Sequence, residues 1–484
     1  MQQRISFVLD GKLTTIDFFS EANYTPTTTA LNYLRSLPGH RGVKEGCAEG
    51  DCGACTVVLA ELATDNKLTY KAVNSCLLFL PQLHGKALLT VENLKTKNGA
   101  LHPVQQALIE THGSQCGFCT PGFVMSLYAL YQNKTSYTRS DAEEALAGNL
   151  CRCTGYRPIL QAAEKVLKTN AGATQEEENH LITLLRTIPK ESLSIRSNGQ
   201  FYYSASSMGE LLDIRKKYPD AVLVNGSTDT ALRVTKQFEN LPAIIDASNV
   251  KELNFHRKEA RRLTIGAGVT IQELKDLARK DFPALYDICR VFGSQQIRQV
   301  ATLGGNLGTA SPIGDLLPVL IAYDGTVVLK SVKSERRVAL DSFILGYRKA
   351  DIQKNEIIYA VELPIPDKKV YIQSYKISKR REVDISTVNG AFRLELNDNC
   401  EVQRIKLVYG GMAETTKRAT QTEAFLTGKD WNYGNVQAAR KILLSEFNPI
   451  DDARSGAKFR RIVAANLLLK LWNDISRKKA QEGG

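Results

Sequence analysis

The chain has 484 residues, 43% of them hydrophobic, and a formal charge of +12. That length should hold about three or four domains, each with an ordinary core, and the scattered basic residues argue against nucleic-acid binding while leaving nucleotides or acidic partners as targets. No run has signal-peptide or membrane-spanning length, so a cytoplasmic location is expected, where the grouped ones among the ten cysteines read as ligands rather than disulfides.

Residues 1–92 read as mostly strand. "RISFVLDGKLTTIDF" alternates about Asp10-Gly11, a hairpin signal. "TTTALNYLRSL" is a helix candidate, and "ACTVVLAEL" and "LTYKAVNSCLLFL" are strand-like. From 93 to 168 the period becomes helical, in four short pieces. Thr120-Pro121 is an N-cap followed by proline, Ser140 and Glu143 form a capping-box pattern, and Pro158 opens a further helix. Residues 169–195 are expected as a linker, because "TNAGATQEEENH" is small, polar and acidic. Helices and strands then alternate from 196 to 366. Strands followed by helices fill 367–476, and 477–484 should be a frayed tail.

The first cysteine group, Cys47, Cys52, Cys55 and Cys76, has the C-x4-C-x2-C spacing with a distant fourth thiol of plant-type 2Fe–2S sites. Gly46, Gly50 and Gly53 let such a loop bend, and small residues let backbone N–H groups approach the sulfurs. The second group is Cys116, Cys119, Cys151 and Cys153, a C-x2-C with a distant C-x-C, whose spacing alone admits zinc as well as a cluster. Its first pair precedes a helix start, where the helix dipole favours thiolate. Cys289 and Cys400 have no sequence partners and read as packed or surface thiols. The six histidines suggest no ligand pair. Two glycine turns, "VLVNGSTDTAL" and "VATLGGNLGTASPIGDLLP", could receive phosphate, but neither is the G-x-G-x-x-G fingerprint.

"EGCAEGDCGACTVVL", "HPVQQALIETHGSQCGFCTPGFVMSLYALYQN" and "LAGNLCRCTGYRPI" closely resemble the iron–sulfur part of xanthine dehydrogenase and related molybdenum hydroxylases. The resemblance runs from about residue 4 to 476 and implies an α+β multidomain chain. Its parts would be a β-grasp ferredoxin-like domain, a four-helix 2Fe–2S domain, an α+β FAD-binding domain and a C-terminal α+β flavoprotein domain. It implies that all eight grouped cysteines are ligands of two 2Fe–2S clusters. Gln115 and Cys153 would face the pterin of a molybdenum cofactor bound elsewhere.

For FAD, the resemblance implies a pyrophosphate stretch of Leu223, Val224, Asn225, Gly226, Ser227, Thr228, Asp229 and Thr230. A second stretch comprises Thr302, Leu303, Gly304, Gly305 and Asn306. Phe292 would stack on the isoalloxazine, with Asp315, Ile358 and Lys376 completing the site and Tyr347 on the nicotinamide side. "KISKRREVDI" matches a family loop governing access to the flavin. There Val383 replaces the aspartate of the animal-type pattern, leaving Asp384 as the nearest carboxylate, a departure that bears on NAD as acceptor.

The molybdenum domains are expected on a separate large subunit, in a heterotetramer of two small and two large chains. The chain thus reads as the electron-transfer small subunit of a split xanthine dehydrogenase. Electrons from hypoxanthine or xanthine would pass through the two clusters to FAD and then NAD. The alternative is the same relay in an aldehyde or N-heterocycle hydroxylase using oxygen or another acceptor. No catalytic acid or base is expected on this chain, and neither nucleic acid nor membrane is an expected partner.

Overall fold

The computed structural model describes residues 3–20, 23–63, 65–95, 99–133, 137–166 and 175–482. These form two compact units, 1–251 with 293–301, and 252–292 with 302–484.

The first unit begins with strands β1 (Arg4–Leu9) and β2 (Lys12–Asp17), joined at Asp10 and Gly11, both with positive φ. The Asp-Gly signal is therefore a two-residue hairpin whose turn twists with its strands. Helix α1 (Ala30–Ser36) follows, capped by the Thr29 hydroxyl, then β3 (Thr56–Leu62), β4 (Leu68–Asn74) and β5 (Ala87–Leu89). The sheet order is β2-β1-β5-β3-β4, with β1 and β5 parallel. Strand period two divides the side chains of this sheet. Phe7, Val57 and Leu59 enter one core with α1, whereas Val8, Val58 and Ala60 enter another with the helices that follow. After β4 the chain turns into short 3-10 segments, Ser75–Leu77 and Leu80–Leu83, where the sequence suggested continued strand.

Four helices come next, α2 (Pro103–Glu110), α3 (Thr120–Asn133), α4 (Arg139–Leu146) and α5 (Arg157–Val166). The capping box of α4 is Thr138 with Asp141 rather than Ser140 with Glu143. Both frames satisfy the same pattern, and the earlier one begins the helix two residues sooner. His102 caps α2, its Nδ1 accepting from Val104 N–H at 3.2 Å, and packs edge-on against Tyr128 and Tyr131. Burial there lowers its pKa to about 4. The unfolded chain therefore takes up a proton first as pH falls, so this contribution is whole above about pH 6.5 and is lost toward pH 4. His102→Asn keeps a capping acceptor and should flatten that decline by about 2 kcal/mol in urea melts run from pH 7 to 4.

The expected linker 169–195 is corrected in part. Residues 167–174 lie outside those described, but Gln175–Arg186 is helix α6, with Leu181 and Leu185 buried in the core of the four helices. Its polar, acidic start conceals an apolar pair four residues apart. Beyond it lie β6 (Leu193–Ser197), β7 (Gln200–Ser204), α7 (Met208–Lys217), β8 (Val222–Val224), α8 (Thr230–Thr235) and β9 (Ala243–Asp246). They form a sheet ordered β6-β7-β9-β8 in which β7, β9 and β8 are parallel. A return segment with a short helix, Gln295–Arg298, completes the unit. The region 196–366 is thus shared between the two units.

The second unit contains β10 (His256–Glu259), β11 (Arg262–Gly266), β12 (Thr326–Lys330), β13 (Glu335–Ala339), β14 (Ile344–Gly346), β15 (Lys349–Ala350) and β16 (Ile357–Pro364). Five of these make an antiparallel sheet ordered β10-β11-β16-β12-β13. A second antiparallel sheet comprises β17 (Val370–Ile377), β18 (Val388–Leu396), β19 (Val402–Gly410) and β20 (Lys417–Arg418). Phe392, Leu394 and Tyr409 of that sheet pack on Ala464, Leu468 and Leu471 of the last helix. This helix spans Ala457–Glu482, so the expected frayed tail 477–484 is helical through residue 482. Among the described residues no helix is long and apolar enough to cross a membrane.

Candidate functional site

Two segments carry the first cysteine group. Cys47, Cys52 and Cys55 lie between α1 and β3, and Cys76 follows β4. Cys47 and Cys52 share a thiol hydrogen bond, and Cys55 Sγ lies 3.4 Å from Cys76 Sγ. The N–H groups of Glu49, Asp51 and Cys52 donate to Cys47 Sγ at 3.3–3.4 Å. The Cys52 thiol and these amides draw the Cys47 pKa down to about 5, against the effect of burial. The Cys76 thiol likewise lowers Cys55, whereas the Cys47 and Cys55 thiols raise their partners Cys52 and Cys76. Gly53 has φ +70°, and a β-carbon there would overlap Gly148 O and stand 2.6 Å from Asn149 Nδ2. Only glycine allows this loop to approach the loop before Cys151 so closely.

The second group also forms pairs, Cys119 with Cys151 and Cys116 with Cys153. Burial, then the Cys151 thiol, pushes Cys119 up to about 12. Cys151 Sγ lies 3.2 Å from Thr154 Oγ1 and accepts from Thr154 N–H at 3.5 Å; these bonds lower its pKa although burial opposes them. Thr154 and Tyr156, which accepts from Cys151 N–H at 3.0 Å, are supporting residues that the sequence reading missed. Cys116, Cys153 and Gln115 are exposed, as are Phe118 and Tyr156, whereas Cys55 and Cys76 are buried.

Among the described residues no three His, Cys, Asp or Glu side chains converge as ligands of one ion. The thiols meet two by two instead. Two irons with two thiolates each would suit that arrangement.

Leu223 and Val224 lie in β8, with Asn225, Gly226, Ser227, Thr228 and Asp229 in the turn before Thr230 opens α8. A β-carbon on Gly226 would collide with Val300 O, so the turn is pressed against the return segment. Gln82 Nε2 donates to Asn225 O at 2.8 Å, tying this turn to the segment that follows Cys76. Ser227 has φ +59°, and its buried hydroxyl has no partner.

In the second unit, Thr302 caps the helix Leu303–Thr309, its Oγ1 accepting from Gly305 N–H at 3.1 Å. Gly304 N–H donates to Ala267 O at 2.8 Å, and Asn306 Oδ1 is buried without a partner. Unsatisfied buried oxygens at both glycine turns fit a polar ligand such as a nucleotide. Ile358 lies in β16, and Phe292 ends the stretch before the return segment.

Lys376 Nζ bonds Asp315 Oδ2 at 2.7 Å and Val291 O at 3.0 Å. Asp315 Oδ1 also accepts from Ser386 Oγ at 2.5 Å, and its carbonyl accepts from Asn389 Nδ2 at 3.0 Å. Ser386 and Asn389 were not foreseen, since 71 and 74 residues separate them from Asp315. Tyr347 is exposed, between β14 and β15. Val383 is buried with φ +50°, rare for a β-branched residue, and Asp384 turns its carboxylate onto the N–H groups of Arg380 and Ile385.

Three family models match the chain. A [2Fe-2S] binding domain matches residues 90–164, an FAD binding domain in molybdopterin dehydrogenase matches 194–366, and a CO dehydrogenase flavoprotein C-terminal domain matches 373–475. A xanthine dehydrogenase/oxidase of Gallus gallus is 32% identical, covering 96% of this chain and 40% of its own length. A xanthine dehydrogenase of Emericella nidulans is 34% identical over 97% of this chain and 38% of its own. The chain thus spans about 40% of the length of such relatives.

Among solved structures, a carbon monoxide dehydrogenase chain of Hydrogenophaga pseudoflava aligns with TM-score 0.54 at 24% identity, over 56% of this chain and 95% of its own. A chain of quinoline 2-oxidoreductase from Pseudomonas putida 86 aligns with TM-score 0.53 at 22% identity, over 57% and 96%. At these identities the structural matches speak for fold.

Proposed function

From the premise that this chain belongs to the xanthine dehydrogenase family through its iron–sulfur and FAD-binding domains, we propose that it is the electron-transfer small subunit of a split xanthine dehydrogenase. In this reading purines are oxidised at a molybdenum cofactor on a partner subunit, in a heterotetramer of two small and two large chains. When bound, the two clusters carry single electrons and FAD gathers two of them for delivery to NAD. The observation that carries the reading is the two-by-two meeting of eight thiols in a chain whose two glycine turns each hold an unsatisfied buried oxygen.

Each residue then has a defined task. Cys47 with Cys52 and Cys55 with Cys76 would hold the irons of the inner cluster. Cys119 with Cys151 and Cys116 with Cys153 would do the same for the outer one. The three amides on Cys47 Sγ would stabilise negative charge on this sulfur and so favour the reduced cluster. Within the second unit, the 302–306 turn would meet FAD phosphate and Phe292, Asp315, Ile358 and Lys376 would hold the flavin, the Lys376 ammonium supplying positive charge. The exposed sulfurs of Cys116 and Cys153, beside Gln115, make the outer group the side that receives electrons.

Cys76→Ser and Cys153→Ser should each remove one of two low-temperature electron paramagnetic resonance (EPR) signals and leave the other. Loss of both signals from either single change would contradict two separate clusters.

One observation favours a second reading, the same relay in an aldehyde or N-heterocycle hydroxylase passing electrons to oxygen or another acceptor. Val383 is buried and the Asp384 carboxylate is engaged within its own loop, away from a nicotinamide-side role shared with Tyr347. Assays of the complex with its partner against hypoxanthine, xanthine and aldehydes, with NAD or oxygen as acceptor, decide between the two. Purine turnover coupled to NAD supports the first, and aldehyde turnover coupled to oxygen the second.

A further inference from the structure

Three side chains from distant parts of the first unit meet where the two cysteine loops touch. Ser126 in α3 and Asn149 before Cys151 are each 1% exposed, and Gln296 of the return segment is 0% exposed. Gln296 Nε2 donates to Ser126 Oγ at 3.0 Å and to Asn149 Oδ1 at 2.9 Å. Ser126 Oγ donates to the same Asn149 oxygen at 2.6 Å. Asn149 Nδ2 then donates to Gly53 O at 3.0 Å and to Thr56 Oγ1 at 3.2 Å. One residue further, Leu150 N–H donates to Cys52 O at 3.0 Å.

The carbonyls of Cys52 and Gly53 are therefore held by the two residues that lead directly into Cys151. An amide side chain can bind either way round, and its neighbours choose. Two donors on Asn149 Oδ1 force its Nδ2 toward Gly53 and Thr56. Apolar packing would tolerate a small slip of one loop past the other, whereas a dry, directional hydrogen-bond chain specifies one register. Gln296 supplies two donor bonds to this chain yet leaves its own Oε1 without a partner, a desolvation cost that filling space alone does not require.

Resting on the reading that both cysteine groups hold clusters, we propose that Gln296 is a positioning residue that fixes the separation and orientation of the two clusters. It acts through Ser126 and Asn149 and touches neither group of thiols. The segment that carries it leads directly into the second glycine turn of the FAD-binding domain, so one stretch of chain sets cluster register and enters the flavin-binding sequence.

The test uses the full chain loaded with both clusters and FAD and fully reduced. Magnetic interaction between the two reduced clusters splits their low-temperature EPR signals, and that splitting depends on distance and orientation. Q296M conserves volume and removes both donor bonds. It should keep both signals and the iron content while the splitting shifts and broadens. T56V, which removes the 3.2 Å acceptor of Asn149 and the hydroxyl's own 2.7 Å bond to Gly53 O but leaves the Gln296–Ser126–Asn149 bonds in place, should give a smaller change.

A Q296M spectrum superimposable on that of the wild type would overturn the assignment while leaving the two-cluster reading intact. Absence of two cluster signals from the wild type would overturn that reading, and the assignment with it. Should Q296M fail to retain its clusters, S126A, which deletes only the relay hydroxyl, decides by the same criterion.

Discussion

Lys376→Met is expected to destabilise the second unit by about 3–5 kcal/mol and to yield protein without FAD. The ammonium and its partner Asp315 are both nearly dry, with side chains 4% and 9% exposed. Removing the cation leaves a buried carboxylate with the Ser386 hydroxyl 2.5 Å from its Oδ1 and the Asn389 amide only 3.4 Å away. The expense lies mainly in that abandoned charge. Lys376→Met combined with Asp315→Leu should therefore regain most of the lost stability, because an ion pair exchanged for apolar packing is often neutral. FAD binding should not return with it. Urea unfolding and the flavin-to-protein ratio of the single and double variants separate the two effects, and recovery of both together would show that the pair serves packing alone.

Gly53→Ala is expected to cost about 3 kcal/mol and to lower iron content in both clusters at once. Left-handed backbone at an alanine costs about 1–2 kcal/mol, and the overlap with Gly148 O adds about as much again through overpacking. The strain is shared, because relief requires the Cys52 loop or the 148–149 backbone to retreat, and each leads into a cysteine ligand candidate. Iron analysis resolved by the two EPR signals measures this. Loss confined to the inner cluster would mean that the second loop does not depend on the contact.

Much of the fold is legible because its signals are local. Asp10-Gly11 demands a hairpin, Thr29 caps a helix, and prolines mark helix starts. What the sequence conceals depends on distant partners. The order of the cysteines does not say that Cys116 pairs with Cys153 and Cys119 with Cys151; only the crossing of the two loops does. Gln296 lies 147 residues from Asn149 and looks like any polar residue on a short helix until both are seen to be dry. The helix Gln175–Arg186 was hidden by its acidic first turn, since composition registers glutamates before it registers the buried Leu181 and Leu185. The left-handed conformations of Ser227 and Val383 have no glycine to announce them.

Cofactor content of the full chain, purified without added metal, tests the central claim most directly. The account predicts about four irons and one FAD per chain, with two distinct EPR signals on reduction. A protein that carries zinc in place of iron, with no flavin absorbance, would contradict it.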